Sequence, residues 1–254
     1  MLHHELIPGT DRGTIVFIHG NSISSRVFDP QFTGNPWPWS RLRIDLPGHG
    51  NSPHRQEPDA YSLAAHRNAI RDTLAAVDDD FILVGCSLGG HLAIEVAPEL
   101  RNLRGLLVHG SPPLGQPLNP NEAFLPSPEL AKLFSPIANP DEIAKMFRHL
   151  CPNAIGHHHL TADFLRADPG VRESLAAEMA TGAPLDEVAI LRQLAVPKLV
   201  ITTADDPFTN NDYILSLDIG LVIVALSEGG HYPSVTCPAE FTAQIQKFAQ
   251  RVFT

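Results

Sequence analysis

The stretch that decides the fold is Phe81-Ile82-Leu83-Val84-Gly85-Cys86-Ser87-Leu88-Gly89-Gly90. Its first four residues form an unbroken apolar run, which is typical of a parallel strand buried on both faces. From Ser87 the apolar residues follow helical spacing as far as Ala97, and Pro98 ends the helix. The pattern G-x-S-x-G between a strand and a helix predicts a sharp turn that raises Ser87 above the strand ends. The helix N-terminus there favours negative charge, so the stretch indicates a nucleophilic serine beside an oxyanion site.

Strand-like and helix-like segments alternate on both sides of this turn. A run rich in β-branched residues predicts a strand at 14–18, apolar runs predict strands at 103–108, 198–202 and 221–225, and residues 41–46 form a weaker strand pattern. Apolar residues at helical spacing predict one helix over 63–77 and a last helix that begins at Pro238. The alternation predicts βαβ units, and hence an α/β fold with a mostly parallel sheet flanked by helices.

The alternation stops between residues 112 and 190. Eight of the 23 prolines lie in residues 112–140. Helix-like stretches follow near 141–150, 160–167 and 171–180. We therefore predict one α/β core, residues 1–111 and 191–254, that carries a helical cap insertion, residues 112–190.

The composition of the 254-residue chain excludes several classes of protein. No run reaches 18 apolar residues, so we expect no membrane helix, and the first residues lack the basic start and apolar run of a secretory signal, which predicts a cytoplasmic protein. The 18 basic and 28 acidic residues give a net charge of -10 without a basic block, which argues against a nucleic-acid partner. The three cysteines fit neither a disulfide framework nor a zinc site. We expect a small-molecule partner, no cofactor, and a monomer or homodimer.

A nucleophilic serine needs a general base, and the base needs an acid that orients it. When the serine lies on such a turn, the acid and then the histidine follow it, each beyond a later strand. Asp205 and Asp206 follow the strand at 198–202, and His231 follows the strand at 221–225. Either aspartate could be the acid, because the other could cap the Asp-Pro turn.

The oxyanion hole should combine the backbone N–H of Leu88 with a second N–H from another loop. The loop His19-Gly20-Asn21-Ser22 follows the strand at 14–18, and its Asn21 amide is the first candidate. A polar turn with a serine cap is the alternative interpretation of this loop.

Four further residues are candidates for binding the substrate. Cys86 directly precedes the serine, and Phe134, Met146 and Phe147 belong to the predicted cap, where packing within the cap would explain them equally well.

Two histidine signals have plainer explanations. His157-His158-His159 could bind a metal, but no cysteine or carboxylate stands at ligand spacing, so we expect a solvated loop and no metal site. His91 lies one turn after Ser87, where we expect a packing or hydrogen-bonding role.

Together these motifs resemble the α/β-hydrolase superfamily. The resemblance includes His19-Gly20-Asn21, the run Asp45–Ser52, the turn at Ser87, Asp206 and Gly230-His231. A closer likeness, to the α/β-hydrolase type of N-acyl-homoserine lactone hydrolase, is carried by Phe28-Asp29-Pro30-Gln31, Ser87-Leu88-Gly89-Gly90-His91, Arg104-Gly105-Leu106-Leu107, Pro112-Pro113 and Pro238-Ala239-Glu240-Phe241.

The chain matches and departs from that group at identifiable positions. The group places its acid directly before Pro-Phe, which points to Asp206. Thr203 replaces the glycine of the superfamily's G-x-x-D motif, which leaves Asp205 as the alternative acid. Cys86 stands where the group has tryptophan, and the segment 114–190 has no match.

The resemblance implies a cofactor-free serine hydrolase that cleaves an ester or lactone, and the closer likeness implies an N-acyl-homoserine lactone. A general carboxylesterase and a C–C bond hydrolase are the alternatives within the fold. A binding protein that kept the pocket and lost turnover is the alternative of a different class. A serine, not an aspartate, at the turn argues against haloalkane dehalogenase and epoxide hydrolase chemistry.

Overall fold

A seven-stranded sheet lies at the centre of the computed structural model, which describes residues 2–34, 37–57, 59–152 and 157–254. Its strands are β1 (His4–Ile7), β2 (Thr14–Ile18), β3 (Ser40–Ile44), β4 (Phe81–Cys86), β5 (Leu103–His109), β6 (Lys198–Thr203) and β7 (Val222–Leu226). They lie in the order β1-β3-β2-β4-β5-β6-β7, and only the β1–β3 pair among these described strands is antiparallel. The predicted α/β fold with a mostly parallel sheet is confirmed.

Helices cover both faces of this sheet. They are α1 (Asp29–Thr33), α2 (Leu63–Leu74), α3 (Leu88–Val96), α4 (Pro120–Ala123), α5 (Pro128–Lys132), α6 (Pro140–Leu150), α7 (His157–Arg166), α8 (Pro169–Thr181), α9 (Glu187–Gln193), α10 (Asn211–Ser216), α11 (Pro233–Thr236) and α12 (Pro238–Phe253). Successive strand residues point to opposite faces. Phe17 accordingly belongs to a hydrophobic cluster with α12, whereas Val16 belongs to a second cluster with α2 and α3. Within the described ranges, no helix is long and apolar enough to cross a membrane.

The strand register gathers several loops at one edge of the sheet. Ile18 of β2 is paired with Gly85 of β4, and Cys86 of β4 is paired with His109 of β5. Because these strands are parallel, the residues that follow them leave the sheet at the same edge. The loop that begins at His19, the turn at Ser87 and the segment after His109 therefore meet there.

The helices α4 to α9 lie between β5 and β6 in the chain. We call residues 112–190 the insertion; its boundaries stay a prediction, and residue 190 falls inside α9. The helices expected near 141–150, 160–167 and 171–180 correspond to α6, α7 and α8. The expectation of a loop at 157–159 was wrong, because α7 begins at His157.

Candidate active site

Ser87 occupies a strained turn between β4 and α3. Its backbone has φ 51° and ψ -123°, a conformation that non-glycine residues rarely adopt. Its N–H donates a hydrogen bond to the carbonyl oxygen of His109 (2.9 Å), and the Ser111 hydroxyl donates to the Ser87 carbonyl oxygen (2.8 Å). The neighbouring strand therefore holds the serine in this conformation.

Two glycines make this turn possible. A Cβ at Gly85 would lie 2.5 Å from the Cα of Gly90, and a Cβ at Gly89 would collide with the carbonyl oxygens of Ile18 and His19. The start of α3 can therefore pack against the ends of β4 and β2 only because residues 85 and 89 have no side chain.

His231 is paired with Asp206 in the buried interior. Its Nδ1 lies 3.0 Å from each carboxylate oxygen of Asp206. The Phe208 N–H and the Thr209 hydroxyl also donate to this carboxylate, at 2.9 Å and 2.7 Å. Burial alone would raise the pKa of Asp206, but the charge and hydrogen bond of His231, with these two donors, bring that pKa below its ordinary value. An ionised Asp206 fixes the proton of His231 on Nδ1.

Asp205 has different surroundings from its neighbour. Its side chain is exposed, and Oδ1 accepts a hydrogen bond from the Gly230 N–H at 2.8 Å. The sequence left open which of the two aspartates contacts the histidine. In the structure Asp206 contacts the imidazole, whereas Asp205 binds the backbone of Gly230, which precedes His231.

The contact with Asp206 uses only Nδ1 of His231 and leaves the second ring nitrogen uncommitted. Nε2 is buried, and it has no hydrogen-bond partner among the residues described. A Cβ at Gly110 would lie 2.7 Å from Cε1 of His231, so the ring rests on the residue that precedes Ser111. Because the Ser111 hydroxyl binds the Ser87 carbonyl, the imidazole and Ser87 are supported by the same two-residue segment.

The oxyanion-loop candidate passes directly beside Ser87. A Cβ at Gly20 would lie 3.0 Å from the Ser87 Cβ. In the described part of the chain, the backbone N–H groups of Asn21 and Leu88 donate to no loop or turn carbonyl and to no side chain. Both are therefore free to donate to a developing oxyanion, and the first-turn position of Leu88 leaves its N–H without a helical partner.

Two buried histidines hold this loop. Nε2 of His19 accepts a hydrogen bond from the Leu46 N–H, and Nε2 of His49 accepts one from the Ser22 N–H, both at 2.9 Å. In each ring Nδ1 lies 2.8 Å from a backbone carbonyl oxygen. Burial lowers the pKa of both imidazoles, so they stay neutral and can accept these bonds.

A narrow, mostly apolar cavity of about 70 Å³ lies beside Ser87. Asn21, Leu88 and Phe134 contribute to its lining, with Leu133 and Leu175 among the other apolar residues. That volume holds roughly five water molecules, so only a slender group fits without movement.

The other three residues predicted to bind substrate lie outside the lining of this cavity. Cys86, Met146 and Phe147 are buried in the hydrophobic cluster that contains α12. The Phe147 ring packs on Tyr232, with ring centroids 6.1 Å apart. Burial raises the pKa of the Cys86 thiol well above its ordinary value, which keeps the thiol protonated.

A contact between the partly buried His91 and the fully buried Glu187 borders the cavity. Nδ1 of His91 lies 3.0 Å from both carboxylate oxygens of Glu187, and the Leu114 N–H donates to one of them at 2.8 Å. Burial alone would lower the pKa of His91, but the Glu187 carboxylate raises it. A hydrogen-bonding role for His91 was expected, whereas nothing in the sequence marked Glu187, which lies 96 positions away.

The insertion also contacts the candidate base directly. The backbone N–H of His231 donates a hydrogen bond of 3.0 Å to the carbonyl oxygen of Leu150, the last residue of α6. Over the described ranges, no group of three or more His, Cys, Asp and Glu side chains is arranged to hold a metal ion.

Solved structures share this architecture over almost the whole chain. The N-acyl homoserine lactonase AidH, in complex with N-hexanoyl homoserine lactone, superposes with a TM-score of 0.88 and 26% identity over 97% of this chain and 93% of that chain. An esterase from Thermogutta terrifontis superposes with a TM-score of 0.78 over 100% of this chain and 94% of that chain, and at 21% identity it shows the fold alone.

Curated relatives match a shorter segment. The 2-succinyl-6-hydroxy-2,4-cyclohexadiene-1-carboxylate synthase of Salmonella paratyphi C is 39% identical over 122 residues, which is 44% of each protein. The chain thus spans less than half the length of the curated relatives it matches.

The family model described as "Alpha/beta hydrolase family" matches residues 15–244, from β2 into α12. This range covers most of the chain, including the turn at Ser87 and the pair formed by Asp206 and His231. The resemblance inferred from the motifs is confirmed, and the chain belongs to the alpha/beta hydrolase family.

Proposed function

We propose that this protein is a serine hydrolase that cleaves a carboxylic ester or a lactone. Ser87 is the nucleophile, His231 the general base and Asp206 the acid that orients it. The observation that carries the proposal is the buried His231, which is held through Nδ1 by Asp206 and whose buried Nε2 has no hydrogen-bond partner among the residues described.

The reaction runs in two acyl-transfer steps. As the Ser87 hydroxyl attacks the substrate carbonyl carbon, its proton passes to Nε2 of His231, and the Asp206 carboxylate stabilises the resulting imidazolium. The C–O bond to the alcohol then breaks, and the alcohol oxygen takes the proton from His231. A water molecule attacks the acyl-enzyme with His231 again as base, which releases the acid and restores Ser87. For a lactone the two products are one molecule, the ring-opened hydroxy acid.

The backbone N–H groups of Asn21 and Leu88 stabilise the oxyanion in both steps. Gly20 brings the first of these peptides against Ser87, and the second begins α3. Removal of one oxyanion donor costs about 10²–10³ in rate in other enzymes, so the two donors account for a large share of the acceleration.

We propose an N-acyl homoserine lactone as the substrate. The similarity to AidH supports this choice, since AidH was solved with such a lactone at 26% identity. The narrow apolar cavity beside Ser87 favours a short acyl chain. The Salmonella relative, a cyclohexadiene carboxylate synthase, is the reason to test other bond types as well.

Two measurements test the proposal. A fluorophosphonate probe should label the folded protein at Ser87, and N-butanoyl or N-hexanoyl homoserine lactone should gain one water by mass spectrometry. The Ser87→Ala variant is the control for both. Labelling without ring opening would leave the serine hydrolase and remove the lactone, and p-nitrophenyl esters and dienoic diketones would then separate an esterase from a C–C bond hydrolase. No labelling of the folded protein would favour the binding protein.

A further inference from the structure

Arg172 of α8 is buried without an ion-pair partner. It is 1% exposed, and its hydrogen bonds within the described ranges go to carbonyl and hydroxyl oxygens, which are neutral. Asp168, at the start of α8, acts on its charge only from a greater distance. A buried charge without a partner is costly, so its retention calls for a role in the molecule.

The guanidinium group of Arg172 is tied to the oxyanion loop. Nη1 donates a hydrogen bond to the Ser22 hydroxyl at 3.1 Å, and that hydroxyl donates to Oδ1 of Asn21 at 3.0 Å. The Asn21 side-chain amide in turn donates to the carbonyl oxygen of Leu133 at 2.6 Å. A continuous chain of hydrogen bonds therefore runs from α8 of the insertion to the residue proposed to bind the oxyanion.

The other groups around Arg172 hold it in place. Nε donates to the carbonyl oxygen of Ser135 at 2.7 Å, Nη2 donates to that of Pro136 at 3.3 Å, and the guanidinium lies 4.6 Å from the Phe164 ring centroid. All of these partners are neutral, so the positive charge is not cancelled where it faces Ser22.

Ser22 is itself in an unusual conformation. Its φ is 58°, which is uncommon for a residue with a side chain. The Nε2 atom of His49 accepts its N–H, and Arg172 binds its hydroxyl, so the residue is held from two sides. Ser22 directly follows Asn21, so the backbone that carries the Asn21 N–H is anchored one residue further along the loop.

We propose that Arg172 is a positioning residue for the oxyanion hole. Through Ser22 it fixes the Asn21 peptide, and its buried charge makes the negative charge that develops on the substrate oxygen more favourable. This inference rests on the proposed hydrolase function. It predicts that the contact matters more in the transition state than in substrate binding.

The test compares kcat and KM of four variants with p-nitrophenyl butyrate. We expect Arg172→Met to lower kcat about 10- to 100-fold, below the full cost of losing a donor, with KM within about threefold. Arg172→Lys should keep more activity, because it retains the charge. Ser22→Gly should lower kcat about tenfold, and because glycine adopts this φ without strain, any fall in its melting temperature reflects only the lost hydroxyl contacts. Arg148→Met, on the exposed face of α6, is the matched control and should match the wild type.

The double variant Ser22→Gly/Arg172→Met should lose little more activity than Arg172→Met alone, because both changes break one chain of hydrogen bonds. The inference is overturned if Ser22→Gly and Arg172→Lys keep the wild-type kcat, or if losses appear in KM alone or follow the melting temperature. If the wild type itself neither hydrolyses esters nor reacts with the fluorophosphonate probe, the proposed function is wrong and the inference falls with it.

Discussion

Asp205 and Asp206 are adjacent in the chain, yet only the second carboxylate contacts the imidazole of His231. The first is exposed and binds the Gly230 N–H. The two residues therefore form a natural pair of matched variants, since each substitution changes one carboxylate to an amide at nearly the same place.

We expect Asp206→Asn to lower kcat by about 10³–10⁴, because the amide favours the wrong tautomer of the histidine. Asp205→Asn should lower it less than about tenfold, because an amide oxygen can still accept the Gly230 N–H. Ester hydrolysis followed by absorbance, with circular dichroism to confirm folding, measures both. Equal losses in the two variants would contradict the assignment.

The sequence predicted the positions of some residues of the candidate site but not those of others. Ser87, the pair Asp205-Asp206 and His231 each follow a parallel strand, which was enough to predict that they lie at one edge of the sheet. The sequence could not separate Met146 and Phe147 from Phe134, because apolar residues of an insertion look alike whether they pack or line a cavity. Arg172 gave no signal, since an arginine in an amphipathic helix is ordinarily exposed.

Helix α3 depends on a close approach between its first turn and the end of β2. Gly89→Ala would drive a Cβ into two backbone carbonyls, and we expect it to lower the free energy of unfolding by about 2–4 kcal/mol. At Gly115 a Cβ would make an ordinary contact with Val188 at 3.6 Å, so Gly115→Ala should change stability by less than about 1 kcal/mol. Urea unfolding of both variants measures the difference, and a tolerated Gly89→Ala would refute this account of the turn.

Helices α3 and α9 are joined by the buried pair of His91 and Glu187. Glu187→Gln keeps the shape but leaves His91 without its anion, and we expect a loss of about 3 kcal/mol. The exposed pair of Arg71 and Glu99, 3.0 Å apart, provides the control. Glu99→Gln should cost less than about 1 kcal/mol. Chemical denaturation measures both, and similar losses would show that burial does not govern the first pair.

Of the seven described strands, six were predicted from their apolar runs and β1 was not. The runs that became β2 and β4 are apolar throughout, as strands covered on both faces must be. β1 escaped prediction because His4-Glu5-Leu6-Ile7 is short, polar and largely exposed, and it pairs antiparallel on one side only. The candidate site residues follow β2, β4, β6 and β7, which explains why the site could be located without β1.

Across the whole molecule, several histidines are buried in neutral form. Burial lowers the pKa of His66 to about 4 and that of His109 to about 3, and it also lowers those of His19 and His49. Below pH 6.5 these four histidines therefore bind more protons in the unfolded chain than in the folded one. Their contribution to stability is complete above that pH and is lost as the pH falls through the window towards 4. His91, whose pKa is raised, acts in the opposite direction.

We expect the free energy of unfolding to fall between pH 7.5 and pH 5, with His66 alone contributing about 2 kcal/mol of that loss. His66→Phe should be less stable at pH 7.5, because it loses the contact between Nδ1 and the Ser62 carbonyl oxygen, but its stability should depend less on pH. Urea titrations of both proteins at the two pH values give the comparison. Parallel pH curves would contradict the neutral state assigned to His66.

At this scale the sequence indicated an insertion but not how it packs on the core. The prolines and the break in alternation predict its bounds at 112 and 190, because both are local properties of the chain, and these bounds stay a prediction. Its contacts with the core, such as Glu187 with His91, join residues far apart in sequence and depend on packing that no local pattern records.

The hydrogen bond that the backbone N–H of His231 donates to the Leu150 carbonyl oxygen matters for engineering the substrate range. The insertion would have to shift to admit a bulkier acyl group. It also holds the His231 backbone through Leu150 and the Asn21 side chain through the Leu133 carbonyl oxygen. Substrate breadth and turnover number should then be anticorrelated across a library of insertion variants. Directed evolution towards longer chains would be expected to require compensating changes near β6 and β7 before the rate recovers.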